Sequence, residues 1–268
     1  MRKMNASAFL MSSLLAFNVG CGKSGWAQEI ETPPAPPGVA KAEPYLSSVA
    51  LDYRSILGAP PAVGSIRDKI DYDAVSKSQV SASVSRWETA RRDESYLYVR
   101  FSEPLGRQID RTNMPLTVHL LNRVLRDVAG PVFAAKKNFQ RPRPYQRFQL
   151  TRLCGEGSAP PPESNPASGS SYPSGHSAYG WVTALVLAQV APERGPALLE
   201  RAADYAQSRL VCGMHFPSDV EAGHVIATAV AERLASSAAF EQDLVCAKAE
   251  YASISRGGVV LTNCASTN

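Results

Sequence analysis

The sequence predicts an all-α fold, and three observations carry that expectation. Leu116 to Phe139 repeats apolar residues at helical spacing, with Leu121, Val124, Leu125 and Val128 on one face and Asn122, Arg123, Arg126 and Asp127 between them. Ala178 to Val190 is apolar on nearly every side, as in a helix at the centre of a core. Strand-like alternation is scarce, with Val259-Val260-Leu261 the best instance. The expected architecture is a compact helical bundle with one long loop.

Residues 1–27 read as a signal peptide. Arg2 and Lys3 give a basic start, Ala6 to Gly20 is mostly apolar and small, and Gly25-Trp26-Ala27 offers a small-x-small cleavage site before Gln28. The apolar run is too short and too interrupted to span a membrane. Lipoprotein processing at Cys21 is the weaker alternative, because Asn18 stands where an aliphatic residue is expected. Export places the chain in the periplasm.

Cleavage there changes the charge balance. The full chain of 268 residues carries +4, but Arg2, Lys3 and Lys23 lie in the leader without any acid, leaving 25 basic and 24 acidic residues. A balance this even argues against nucleic-acid and membrane-surface partners. The 241 residues after Ala27 suit one domain with a sizeable core. Cys154, Cys212, Cys246 and Cys264 remain, an even number compatible with disulfides in an oxidising compartment. The first pair expected is Cys246 with Cys264, while Cys212, in an apolar run, reads as a small core residue.

Residues 28–44 are Pro-rich and read as an extended arm, so a single domain is expected over 45–268. An apolar pattern runs from Tyr45 to Leu57 until Pro60-Pro61 interrupts it, and Ile66 to Arg92 suits one or two amphipathic helices. Gly130-Pro131 should kink or split the long helix. Residues 152–172, rich in Gly, Ser and Pro, form a long loop of the kind that is usually functional. Ala222 to Leu234 and Glu241 to Tyr251 complete the helical set.

Three segments carry chemistry. In the first, Lys136 and Arg143 stand about two helical turns apart. Pro142 and Pro144 turn Arg143 inward from a fixed corner. In the second, Tyr172-Pro173-Ser174-Gly175-His176-Ser177 precedes the apolar helix, so the Ser174 hydroxyl and Gly175 amide can donate to an anion at the helix start. His176, when protonated, can protonate a leaving group. In the third, Arg209 offers a planar donor fork, His215 a neutral ring nitrogen, and Pro217 a helix start that puts Asp219 in the first turn. Asp219 is then expected to accept the proton on the far nitrogen of His215. Each segment alone also fits an ordinary helix cap or a solvated basic run.

In order they read Lys-x6-Arg-Pro, Pro-Ser-Gly-His and Ser-Arg-x5-His-x3-Asp. This ordered triple resembles the signature of the type 2 phosphatidic-acid-phosphatase (PAP2) superfamily, which includes bacterial acid phosphatases, lipid phosphatases and vanadium haloperoxidases. Ser171 to His176 with Gly180-Trp181, Ser208 to Gly213 running into His215, and Leu57-Gly58-Ala59-Pro60-Pro61 with Gly64-Ser65 are similar to the class A bacterial non-specific acid phosphatases. Pro142, Phe216 and His224 depart from that class, with His224 where an Arg is usual.

The resemblance implies a broad phosphomonoesterase that needs no metal and no cofactor. His215 would be the nucleophile that forms a phosphohistidine, Asp219 its orienting partner, and His176 the acid and base at the leaving group. Lys136, Arg143, Ser174, Gly175 and Arg209 would hold the phosphoryl oxygens. A protonated His176 beside an unprotonated His215 implies a bell-shaped profile on the acid side. Partners are then small-molecule phosphomonoesters, and the class leaves a homo-oligomer open. His119 is expected to be packed or half-buried, and His224 to face outward or cap a contact, with a role in supporting the site left open. Two other activities use the same residues: a vanadate-dependent haloperoxidase, and a non-catalytic phosphate-binding protein. A membrane lipid phosphatase would need several apolar spans of about 20 residues, which the chain lacks after its leader.

Overall fold

The computed structural model describes residues 42–46, 51–150, 152–154, 169–256 and 264. The leader, most of the Pro-rich arm, the centre of the 152–172 loop and the Val259-Val260-Leu261 run lie outside the described residues. The fold is all-α, and among the described residues no strand occurs.

A 3-10 turn at Tyr53–Ser55 leads to α1 (Ile66–Ser81) and α2 (Val84–Arg92). The Ile66 to Arg92 stretch is therefore two helices. Each starts at a serine cap: Ser65 Oγ accepts from Asp68 N at 3.2 Å and Ser83 Oγ from Arg86 N at 3.1 Å. Next come α3 (Leu97–Leu105), which stops at Gly106, and α4 (Pro115–Phe139). Met114, before α4, supplies no capping side chain. Glu250 does so from the C-terminal helix, accepting from Leu116 N at 2.8 Å, Thr117 N at 2.9 Å and Thr117 Oγ1 at 2.7 Å.

Of the kink or split expected at Gly130-Pro131, the split does not occur, and α4 runs on through Pro131. An interior proline costs about 3 kcal/mol. Burial of Val128, Val132 and Ala135 on either side of it offsets that cost.

The short α5 (Pro144–Arg147) precedes α6 (Gly175–Val190), α7 (Gly195–Val211), α8 (Pro217–Leu234) and α9 (Ala238–Arg256). The apolar α6 is the centre. It packs most extensively on α7 and α8, and also against α3, α4 and α9. Ala178, Val182, Ala184, Val186 and Leu187 of α6 are all fully buried. Gly223 lets α8 approach the start of α6 closely, because a Cβ there would stand 2.5 Å from the Ser174 carbonyl oxygen. That approach matters for the site, since both helices begin within it.

No helix among the described residues is long and apolar enough to cross a membrane.

Candidate active site

Four chain segments converge at the starts of α6 and α8. Lys136 lies in the last turn of α4, fully buried, with Nζ donating to the Ser170 carbonyl. Gln140 then takes a left-handed conformation (φ 47°) and ends the helix. The chain runs extended into Arg143, held between Pro142 and Pro144, and the residue is 1% exposed. Arg143 donates to the Met214 carbonyl at 3.2 Å and reaches His215 Nε2, also at 3.2 Å. The inward corner expected from the two prolines is what forms.

Ser174 caps α6, with Ser177 N donating to its hydroxyl oxygen at 3.3 Å, while its own amide donates to the Asp219 carbonyl at 2.9 Å. Gly175 and His176 open the helix. His176 Nε2 lies 3.3 Å from the Glu94 carbonyl, an atom that only accepts, so Nε2 carries the proton and Nδ1 is bare. Among the described residues Nδ1 has no partner.

Arg209 lies in the last turn of α7, and the turn that follows the helix is built on its carbonyl, which accepts from Met214 N at 3.0 Å and His215 N at 3.3 Å. Gly213 makes that turn possible at φ 68°, a region other residues rarely enter. The guanidinium of Arg209 is wholly buried, yet none of its nitrogens has a hydrogen-bond partner among the described residues. Its acid neighbour is Glu94, with Oε1 3.8 Å from NH1. Such a buried, unsatisfied fork is costly unless a ligand uses it.

His215 differs in one respect from expectation. Its Nδ1 donates to the Ser171 carbonyl at 2.8 Å, while Asp219 Oδ2 stands 3.6 Å away. Asp219 is already engaged: Oδ1 accepts from Arg141 at 2.6 Å and Oδ2 from Phe216 N at 2.7 Å. Ser171 therefore sets the tautomer, leaving the Nε2 lone pair of His215 facing Arg143. Asp219 remains close enough to favour positive charge on the ring.

Burial is the largest cause pushing both histidines well below their ordinary basicity. Arg209 and His215 add to the effect at His176; Arg143, Lys136 and Arg209 add to it at His215. Arg143 meets His215 directly, and Lys136, His176 and Arg209 lie near enough to act on the charge of the two histidines. The arrangement is a cationic cradle with one bare imidazole nitrogen on each of two histidines.

Sequence reasoning missed four participants. Arg141 and Asp71 form the frame behind Asp219, Ser171 supplies the carbonyl beneath His215, and Glu94 joins His176 to Arg209. Arg141 and Ser171 stood within the quoted segments, without a role being read for either; Asp71 and Glu94 stood in none. Cys212 also needs correction, because it is bonded to Cys154 and ties residues 152–154 to the turn between Arg209 and His215. The Cys246–Cys264 pair forms as expected. His119 is half-buried against Asp243 at 3.3 Å. His224 is partly buried and caps a contact, stacking on Trp181 at 4.4 Å between ring centroids, and burial pushes it down to about 4.

Residues 116–240 match the PAP2 superfamily. The chain is 33% identical over 216 residues to the non-specific acid phosphatase of Providencia stuartii, covering 78% of this chain and 85% of that one. It is 33% identical over 195 residues to the non-specific acid phosphatase of Salmonella typhimurium, covering 70% and 75%. To the acid phosphatase of Zymomonas mobilis it is 28% identical over 245 residues, covering 88% of each. With the ordered signature folded into one cationic cradle, these likenesses show that the chain belongs to the PAP2 superfamily, as a class A bacterial acid phosphatase.

Proposed function

We propose that the protein hydrolyses small phosphomonoesters without a metal, through a phosphohistidine on His215, after export to the periplasm. The observation that carries this reading is the bare Nε2 of His215 beside Arg143, with Nδ1 fixed by the Ser171 carbonyl. The Nε2 lone pair forms the N–P bond as the P–O bond to the alcohol breaks. Protonated Nδ1 of His176 gives its proton to the departing oxygen. Water then attacks phosphorus, its proton goes to His176 Nδ1, and the N–P electron pair returns to His215.

Lys136, Arg143 and Arg209 stabilise the equatorial oxygens, with Ser174 and the Gly175 amide at the start of α6. Three cations would repel a divalent metal, and they supply the charge stabilisation that a metal gives elsewhere. His176 is held neutral by burial and by these cations, so its proton is taken up with the phosphoryl anion. Activity should therefore fall as pH rises. Two disulfides fit an oxidising compartment, in keeping with a leader over 1–27. One catalytic domain from residue 45 onward then follows the Pro-rich arm. A cradle that grips only the phosphoryl group suits broad specificity.

The test is rapid alkaline-quench trapping with a radiolabelled aryl phosphate, in EDTA. Wild type should carry an acid-labile, base-stable label, and His215→Ala should carry none while kcat falls by about 10⁴-fold or more. Turnover by that variant, or activity lost to EDTA alone, would overturn the reading.

A further inference from the structure

Glu94 has no counterpart in the three motifs, yet it touches both halves of the site. It sits in the turn between α2 and α3, where its carbonyl holds His176 Nε2 at 3.3 Å. Its carboxylate lies 3.8 Å from Arg209 NH1 and accepts no hydrogen bond among the described residues. The neighbouring acid is spoken for: Asp93 accepts from Arg201 and, at 2.6 Å, from Ser208 Oγ. Arg209, His176 and His215 are 0–1% exposed, whereas the Glu94 side chain is 23% exposed. Glu94 therefore stands between the cradle and solvent.

In-line attack fixes which side of the phosphorus this is. A nucleophile at His215 Nε2 sends the alcohol away on the opposite side, where His176 waits to protonate it. Glu94, bonded to His176 through its carbonyl, belongs to that leaving-group side. A carboxylate there acts on the charge of the alcohol, and because its side chain stays 23% exposed, salt screens it in part.

We propose that Glu94 is a specificity-determining residue that selects the leaving group by charge. It favours phosphomonoesters whose alcohol carries a cation, such as an aminoalkyl group, and disfavours those whose alcohol carries a second anion. The inference rests on the reading of His215 as nucleophile and His176 as the leaving-group acid. Each unit of charge on the alcohol should change kcat/KM by on the order of 10-fold.

Three esters of equal length test it: 2-aminoethyl phosphate, 2-hydroxyethyl phosphate and carboxymethyl phosphate. Wild type, Glu94→Gln and Glu94→Lys are assayed at pH 7, and each rate is divided by that for the hydroxyethyl ester. Intrinsic leaving-group reactivity and any general change in phosphate affinity cancel in these ratios between enzymes. A loss of structure would lower all three rates together and leave the ratios alone. The cationic-to-anionic ratio should fall by on the order of 10-fold or more in the Gln variant and further in the Lys variant. In wild type alone, raising salt from 0.02 to 0.5 M should compress the same ratio, which covers the case of a variant that does not fold. Ratios equal in all enzymes, or insensitive to salt in wild type, would overturn the role of Glu94 while the phosphohistidine label still formed. A wild type that formed no label would overturn the mechanistic reading instead, and this inference with it.

Discussion

Arg141 and Arg143 are two residues apart on one extended segment, both nearly fully buried, and the protein uses them in opposite ways. Arg141 is surrounded by anions: Asp71 at 2.8 Å, Asp219 at 2.6 Å and Asp68 at 3.7 Å, with the Ser218 hydroxyl at 2.8 Å and the Phe216 ring at 4.2 Å. Arg147 doubles the frame with a bidentate pair to Asp68 at 2.6 and 2.8 Å. Arg143, with its side chain on the other face, meets a carbonyl and a histidine nitrogen. Beside it Arg209 has no hydrogen-bond partner among the described residues. One cluster carries its own counter-charges and holds α1, α5 and α8 together. In the other, the Arg209 fork lies 3.8 Å from its nearest acid, Glu94, and a phosphoryl anion would supply the hydrogen bonds it is missing. Internal compensation builds a frame, and a buried donor fork left unsatisfied, as at Arg209, suits the binding of an anion.

Breaking the frame should have the larger effect on folding. Arg141→Met leaves Asp71 and Asp219 buried without their cation, which costs about 3–5 kcal/mol. For a chain of this size that is a fall in Tm of roughly 10 °C. The protein that remains folded should keep measurable turnover, because the Ser171 carbonyl still fixes His215. A Tm within about 2 °C of wild type would show that the cluster does not brace the fold.

Arg209→Met should do the reverse. Removing a buried cation whose nitrogens are unsatisfied relieves a desolvation cost, so Tm should hold or rise. Loss of one preorganised donor to the transition state should lower kcat/KM by about 10²–10³-fold. A large drop in Tm would mean that Arg209 is paired in the free protein, and the contrast between the two clusters would fail.

The same contrast explains what could be read from the sequence. The cradle residues each lie within a few positions of a proline, a glycine or a helix start, so motif spacing located them. The frame did not announce itself, since Asp71 is one acid among many on α1 and its partner lies 70 residues away. The His215–Asp219 spacing suggested a direct hydrogen bond. A four-residue interval cannot show that Arg141 and Phe216 N have already claimed both carboxylate oxygens. Glu94 and the Cys154–Cys212 bond are contacts across long stretches of chain, with no local pattern to betray them. The long α4 and the apolar α6 were legible through periodicity. Helices α3 and α7 were not singled out: α3 is nine residues with Pro104 near its end, and α7 mixes alanines and charges, so its apolar stripe is faint.

The smallest expected effect separates the two clusters by pH. Burial lowers His176 and His215 in the folded protein, so between their folded values and about 6.5 the unfolded chain binds more protons. Their contribution is fully present above about pH 6.5, and stability falls as pH drops below it. His224, pushed down to about 4, adds to the same slope from a place remote from the cradle. Inorganic phosphate should oppose the loss, since an anion among Lys136, Arg143 and Arg209 lets the site histidines take up protons without penalty. The rise in Tm at constant phosphate should therefore grow as pH falls from 7 to 5, amounting to a few degrees at saturating ligand. Arg209→Met should abolish that rise, and His224→Gln should flatten the phosphate-free slope while leaving the rise intact. Arg141→Met, by contrast, should start from a lower Tm and still gain from phosphate. Thermal melts at three pH values would settle it: a phosphate effect that Arg141→Met removes and Arg209→Met spares would reverse the assignment of frame and cradle.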